Sequence, residues 1–272
     1  MSNVIKTLLA IALMAATLLA ACGDNSRQTQ AQALLDQARG AAADRQYPRA
    51  IELLDTLDRA YRDCLDVRRA GTVLRTEALR DLTIDSIAAN EARLQTLQTA
   101  VDRSASYFAH VDVAGTDGYM VYTPAAKSWQ LDRTGLQARI DPEGYFFIVV
   151  NVAGRAIGLD RICLGDVCTV PAQSVAVEGS EIMNISQEQA LPLVQALLSA
   201  QAPASITLRG TRGNIPLTLD AKALDALRAT WQYAQARQQL RLNLIGRERL
   251  ERQLARLRET LANLATDSLP AD

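Results

Sequence analysis

The chain has 272 residues, 49% of them hydrophobic and 22% charged, with 29 Lys+Arg against 30 Asp+Glu. The near-neutral balance excludes a nucleic-acid binder that works through bulk charge, and the apolar fraction excludes a disordered chain. A single histidine, His110, leaves almost nothing from which to build a histidine-ligated metal site or a Ser-His-Asp centre.

Residues 1–21 open with Lys6 and continue as an uncharged run from Thr7 to Ala21, the pattern of a secretory signal. The run is shorter than the ~20 apolar residues of a membrane span. It ends Leu19-Ala20-Ala21-Cys22, which resembles the bacterial lipobox. That resemblance implies cleavage before Cys22, a lipid on its sulfur and acylation of its amino group. Each acyl CH2 buried in the bilayer contributes ~0.8 kcal/mol, so several chains anchor stably. The next residue is Gly23 and not Asp, which by analogy with the enteric sorting rule favours export to the outer membrane. Without Lys6 the mature chain has 28 basic and 30 acidic residues, a net charge of −2.

Residues 22–33 read as a polar, lipidated tether. Leu34, Ala38 and Ala41, then Tyr47, Ala50, Leu54 and Leu57, form two apolar faces separated by Asp44-Arg45-Gln46. The spacing resembles one tetratricopeptide hairpin, with Arg62 where the usual proline would fall and no second copy downstream. From Asp66 to about Tyr107 the apolar series Leu74, Leu79, Leu82, Ile84, Ile87, Leu94, Leu97 and Val101, with steps of three at 79/82, 84/87 and 94/97 and of four at 97/101, predicts one long helix.

Residues 110–219 are richer in Val, Ile, Thr, Gly and Tyr and predict about eight short strands and one helix, Gln187–Ala200. Asp141-Pro142-Glu143-Gly144 has the composition of a tight turn between strands. Gly165-Asp166 is a two-residue hairpin signal, which makes Leu164 and Val167 the closing pair and sets Cys163 opposite Cys168. Residues opposed in that way have Cα atoms ~4.5–5.5 Å apart, within disulfide range, so a structural Cys163–Cys168 bridge is expected in an exported protein. Cys64 remains as a buried small residue. Gly210-Thr211-Arg212-Gly213 shares only its letters with the GXXG loop of KH domains and reads as a hairpin turn. Residues 221–265, N-capped by Asp220, mirror the first long helix in length and period. Forty residues of helix extend about 60 Å.

The expected fold is therefore α+β: a long antiparallel helical coiled-coil stalk formed by the N- and C-terminal helices, with a small antiparallel β-rich domain inserted between them. A parallel homodimer of the helices is the competing arrangement. The expected segments are signal peptide 1–21, tether 22–33, hairpin and first long helix 34–108, β-rich domain 109–219 and C-terminal helix 220–266.

This order resembles Bacteroidetes-type lipoproteins that join a tetratricopeptide-like helical hairpin to a coiled coil. The residues that carry the resemblance are Ala50–Leu57 leading into Arg59-Ala60-Tyr61, then Val67-Arg68-Arg69, and Ala138-Arg139-Ile140-Asp141 with Gly144. It implies a scaffolding protein of the envelope and carries no assigned activity.

No nucleophile, metal-ligand or phosphate-loop pattern is present, so no catalytic residue, metal or cofactor is expected. The aromatics concentrate in the β-rich region, and Trp129, Tyr145 and Tyr119 are the candidate binding surface. The expected function is that of a lipid-anchored bacterial envelope protein acting as a non-enzymatic structural or interaction module. Its partners would be the membrane, through the lipid, and other envelope proteins, without nucleic acid. The alternatives are a peptide-gripping subunit of an outer-membrane assembly machine and an envelope carbohydrate-binding or enzymatic module.

Overall fold

A computed structural model describes residues 23–126 and 129–266. The segment expected to be a signal peptide and Cys22 lie outside the described residues. The fold is α+β, with a long helix before the strands and another after them packing together. The chain divides into two compact units. One holds the described residues up to Glu91 together with Gly246 onward, and the other is Ala92–Ile245. The sequence placed the boundaries at 108/109 and 219/220. They fall instead inside the two long helices, because the inner ends of those helices contribute Val101, Leu224, Leu227 and Ala234 to the core of the second unit.

In the helical unit, α1 (Gly23–Ala43) and α2 (Tyr47–Ala60) form a hairpin against the start of α3 (Leu65–Ala105). Residues 23–33, expected as a tether, are the first turns of α1. Ala31 is fully buried there, and Arg27 reaches Asp63 at 2.8 Å. The apolar face is also shifted by one position: Leu35, not Leu34, fills the core with Ala38, Leu54, Leu57, Cys64 and Val67. Starting the helix at Gly23 lets Ala31, Leu35 and Ala38 share one face at steps of four and three. Gly71 brings α3 close, since a Cβ there would meet Leu57 Cδ2 at 2.9 Å. Cys64 is a buried free thiol, as expected.

The last helix, α6 (Ala221–Thr266), runs antiparallel to α3 in this unit. Gln253 Nε2 donates to Thr83 Oγ1 at 3.3 Å, and Gly246 lies against Asn90. Seven residues forward in α3 thus correspond to seven back in α6. The seam differs from a leucine stripe. Thr76 and Thr83 are buried, whereas Ile84 is 41% exposed. Their hydroxyls donate to the carbonyls of Thr72 and Leu79 one turn back, which satisfies the buried oxygens within the helix.

In the β unit, one sheet has six antiparallel strands, order β1-β2-β3-β4-β8-β7: β1 (Phe108–Val111), β2 (Tyr119–Tyr122), β3 (Gly135–Ile140), β4 (Phe146–Ala153), β7 (Ser174–Val177) and β8 (Ser180–Ser186). The other has four, order β10-β9-β5-β6: β5 (Leu159–Leu164), β6 (Val167–Cys168), β9 (Ala204–Gly210) and β10 (Gly213–Leu219). Two helices complete the unit, the short α4 (Thr123–Ala126) and α5 (Gln187–Ser199). β1 was not expected from the sequence. It is only four residues long and follows α3 directly, leaving no room for a period to show.

Alternation along the strands builds the core. Phe146, Ile148, Val150 and Val152 of β4 face inward with Ile140, Met183 and Ile185, opposite Ile162, Ile206 and Leu208 of the second sheet. Leu193, Val194 and Leu197 of α5 complete it. Ser186 and Gln189 form a capping box at the start of α5, and Asp220 Oδ1 accepts the Ala223 N–H at 2.8 Å to cap α6.

Candidate functional site

The face of the six-stranded sheet turned away from that core carries Tyr119 and Val121 on β2, Gln137 and Arg139 on β3, and Phe147, Val149 and Asn151 on β4. Register sets Arg139 between Val121 and Phe147. Residues 129–134 fold across this face. Asn151 Nδ2 donates to the carbonyls of Leu131 and Arg133, both at 2.8 Å, and Thr134 Oγ1 accepts from the Ala153 N–H at 3.1 Å. Through these bonds the segment buries groups that strand alternation alone would leave to solvent.

Trp129 and Tyr119 converge on Arg139. The centre of the guanidinium lies 4.0 Å from the Tyr119 ring centre and 4.8 Å from that of Trp129. Arg139 is 9% exposed, and its Nε donates to Gln137 Oε1 at 2.8 Å. Gln137 Nε2 in turn donates to the Ala125 carbonyl at 3.3 Å. Burial pulls the guanidinium below its ordinary value, and Tyr119 acts in the opposite sense. Stacking of this kind orients a guanidinium through its flat faces and leaves its N–H edge unused. Tyr119 also meets Phe147 edge to face, with ring centres 6.4 Å apart.

Tyr145 is not part of this cluster. It sits half-exposed in the β3–β4 turn, where its N–H donates to Asp141 Oδ1 at 2.7 Å. It lines an open hollow of about 580 Å³ with Phe146, Phe147, Ser186, Glu188 and Leu191. The structure thus brings together two of the three aromatics picked from the sequence and adds Arg139. The sequence pointed to Arg139 only as part of a turn motif. Its alternation with Ala138 and Ile140 marks it as facing away from the core, and nothing local signals the segment that covers it.

Cys163 and Cys168 are directly paired across β5 and β6 and are joined by a disulfide. His110 lies in β1, where its Nε2 sits 3.0 Å from the Asp117 carbonyl and its Nδ1 sits 3.1 Å from Asp112, bracing the β1–β2 turn. Glu181 is a second buried charge that the sequence did not single out. Its carboxylate accepts the N–H groups of Ile157 at 2.6 Å and Leu159 at 2.8 Å and the Ser174 hydroxyl at 2.6 Å. Burial alone would push this carboxyl up. The Ser174 hydroxyl and the backbone N–H groups of Ile157, Leu159 and Gly158 outweigh it and hold Glu181 below its ordinary value. Because Ile157, Gly158 and Leu159 lead into the second sheet, Glu181 pins one sheet to the other.

Among the described residues, no group of three His, Cys, Asp or Glu side chains stands close enough to hold a metal ion. No described helix is long and apolar enough to cross a membrane. No protein-family model, curated protein or solved structure matches the chain. What the fold defines is a class: an α+β chain with a helical unit, a two-sheet β unit and a disulfide in the latter.

Proposed function

We propose that the protein is a lipid-anchored component of the bacterial cell envelope and acts there as a non-enzymatic interaction module. The observation that carries this reading is Leu19-Ala20-Ala21-Cys22, placed at the end of the uncharged run from Thr7. The Cys163–Cys168 bridge supports it, since such bonds persist in exported proteins. The β unit would supply the contact surface, with Trp129 and Tyr119 at its stacked arginine. Metabolic labelling with palmitate tests the anchor. Label is expected on the wild-type chain and is lost with Cys22→Ala; label that survives the substitution overturns the anchor. Crosslinking and pulldown from intact cells then tests the module. Partners retained by the full chain and lost with Trp129→Ala support it, and identical partner sets from the two chains refute it.

A further inference from the structure

Among the described residues, no acid meets the charge of Arg139. Part-buried Arg75 meets acids, lying 2.9 Å from Asp55 and 2.8 Å from Asp58, and the more exposed Arg161 lies 2.8 Å from Asp160. Arg139 is more deeply buried than these, at 9% exposure, yet no carboxylate among the described residues pairs with it. Its Nε is engaged by the neutral Gln137 amide. The Tyr119 and Trp129 rings lie against the guanidinium, with centres 4.0 and 4.8 Å from its carbon. Among the described residues, neither terminal nitrogen of the guanidinium donates to a side chain or a carbonyl.

Burying a cation without a partner is costly, and the planar fork of a guanidinium matches a two-oxygen anion in bidentate fashion. The stacked rings and the Gln137 bond hold that fork in one orientation before any ligand arrives, which lowers the entropic cost of binding. We propose that the β unit binds a carboxylate at the terminal nitrogens of Arg139, between Tyr119 and Trp129. A carboxylate is flat and carries one negative charge, matching one guanidinium. A phosphate dianion needs a second cation, and among the described residues none contacts Arg139. The inference goes beyond the envelope reading and is independent of it, since palmitate labelling tests the anchor and ligand titration tests this site.

The test follows the side-chain ¹⁵N–¹H signals of the full chain, labelled with ¹⁵N-arginine and held in detergent micelles. The Arg139 signal is assigned by its absence in Arg139→Lys. Sodium acetate is expected to shift it saturably, whereas sodium chloride at equal ionic strength gives at most a shallow, unsaturating drift. Equal responses to acetate and chloride overturn the proposal. Tighter saturation by sodium phosphate than by acetate overturns the carboxylate assignment. A second variant, Gln137→Glu, places an internal carboxylate beside the guanidinium. It is expected to weaken the acetate response at least about tenfold by occupying the fork from within. An undiminished response in that variant also overturns the proposal, and this arm does not depend on the lysine variant folding.

Discussion

In the helical unit the largest fully buried side chains are Leu35, Leu54 and Leu57, and the rim is laced with Arg–Asp pairs. In the β unit many more side chains are fully buried, Phe146, Ile148, Ile206 and Leu208 among them, and both a carboxylate and a guanidinium are buried as well. The difference follows from the backbone. A helix satisfies its own N–H and C=O groups, so small residues and a few leucines suffice to hold three helices together. Two sheets joined by loops leave N–H groups such as those of Ile157 and Leu159 with no strand to pair with. Side chains must supply the acceptor, and Glu181 does so. The β unit therefore concentrates its stability in single residues, and the helical unit spreads it.

That contrast can be broken, or sharpened, at specific positions. The largest effect is expected at Phe146, fully buried and edge-on to Trp231 with ring centres 5.2 Å apart. Phe146→Ala should cost about 4 kcal/mol. Both tryptophans, Trp129 and Trp231, lie in the β unit, so their fluorescence in a denaturant titration reports on that unit. A midpoint that does not move contradicts the core as described.

Glu181→Ala follows, at about 3 kcal/mol, because at least two buried N–H groups lose their acceptor. Its pH dependence has a defined sign. The folded-state value of Glu181 is depressed, so its contribution is fully present above the unfolded-state value of about 4.3 and is lost as the pH falls through the lower, folded-state value. Denaturant midpoints at neutral and acid pH should thus converge between the wild type and Glu181→Gln as the pH drops. A constant gap between the two chains would count against the carboxylate pin.

The disulfide ranks third. It closes a loop of only four intervening residues, so the paired substitution Cys163→Ala, Cys168→Ala should cost about 2 kcal/mol or less. The effect should appear in tryptophan fluorescence and leave thiol labelling of buried Cys64 unchanged; faster labelling of Cys64 would show that the two units do not respond separately.

The smallest effect is expected in the helical unit. Arg75→Ala removes two ion pairs at partly exposed carboxylates and should cost about 0.5 kcal/mol by helical circular dichroism. A loss comparable to that of Phe146→Ala would show that the helical unit too depends on single residues.

Much of this architecture could be read along the chain. Apolar steps of three and four marked α3 and α6, and composition marked the hairpin at Gly165-Asp166, which in turn set Cys163 opposite Cys168. Asp220 was recognisable as a cap because its oxygen acts only three residues away. Misplacements occurred where local pattern and packing diverge. Leu34 and Leu35 are equally apolar, and only the partners Leu54 and Leu57 decide which of them is buried. The polar run 23–33 resembles a tether until Asp63 and Ala31's burial are seen.

The sequence by itself determined the two long helices, most of the strands and the facing cysteine pair, because propensity, capping and hydrophobic period act within a few turns of a residue. Only the tertiary structure decided that β4 neighbours β8 and that β5 neighbours β9. It alone set Glu181 beneath the N–H groups of Ile157 and Leu159, and it alone covered Arg139 with Trp129. Those pairings join residues far apart in the chain, and they depend on which surfaces exclude water together, a property that no short stretch of sequence contains.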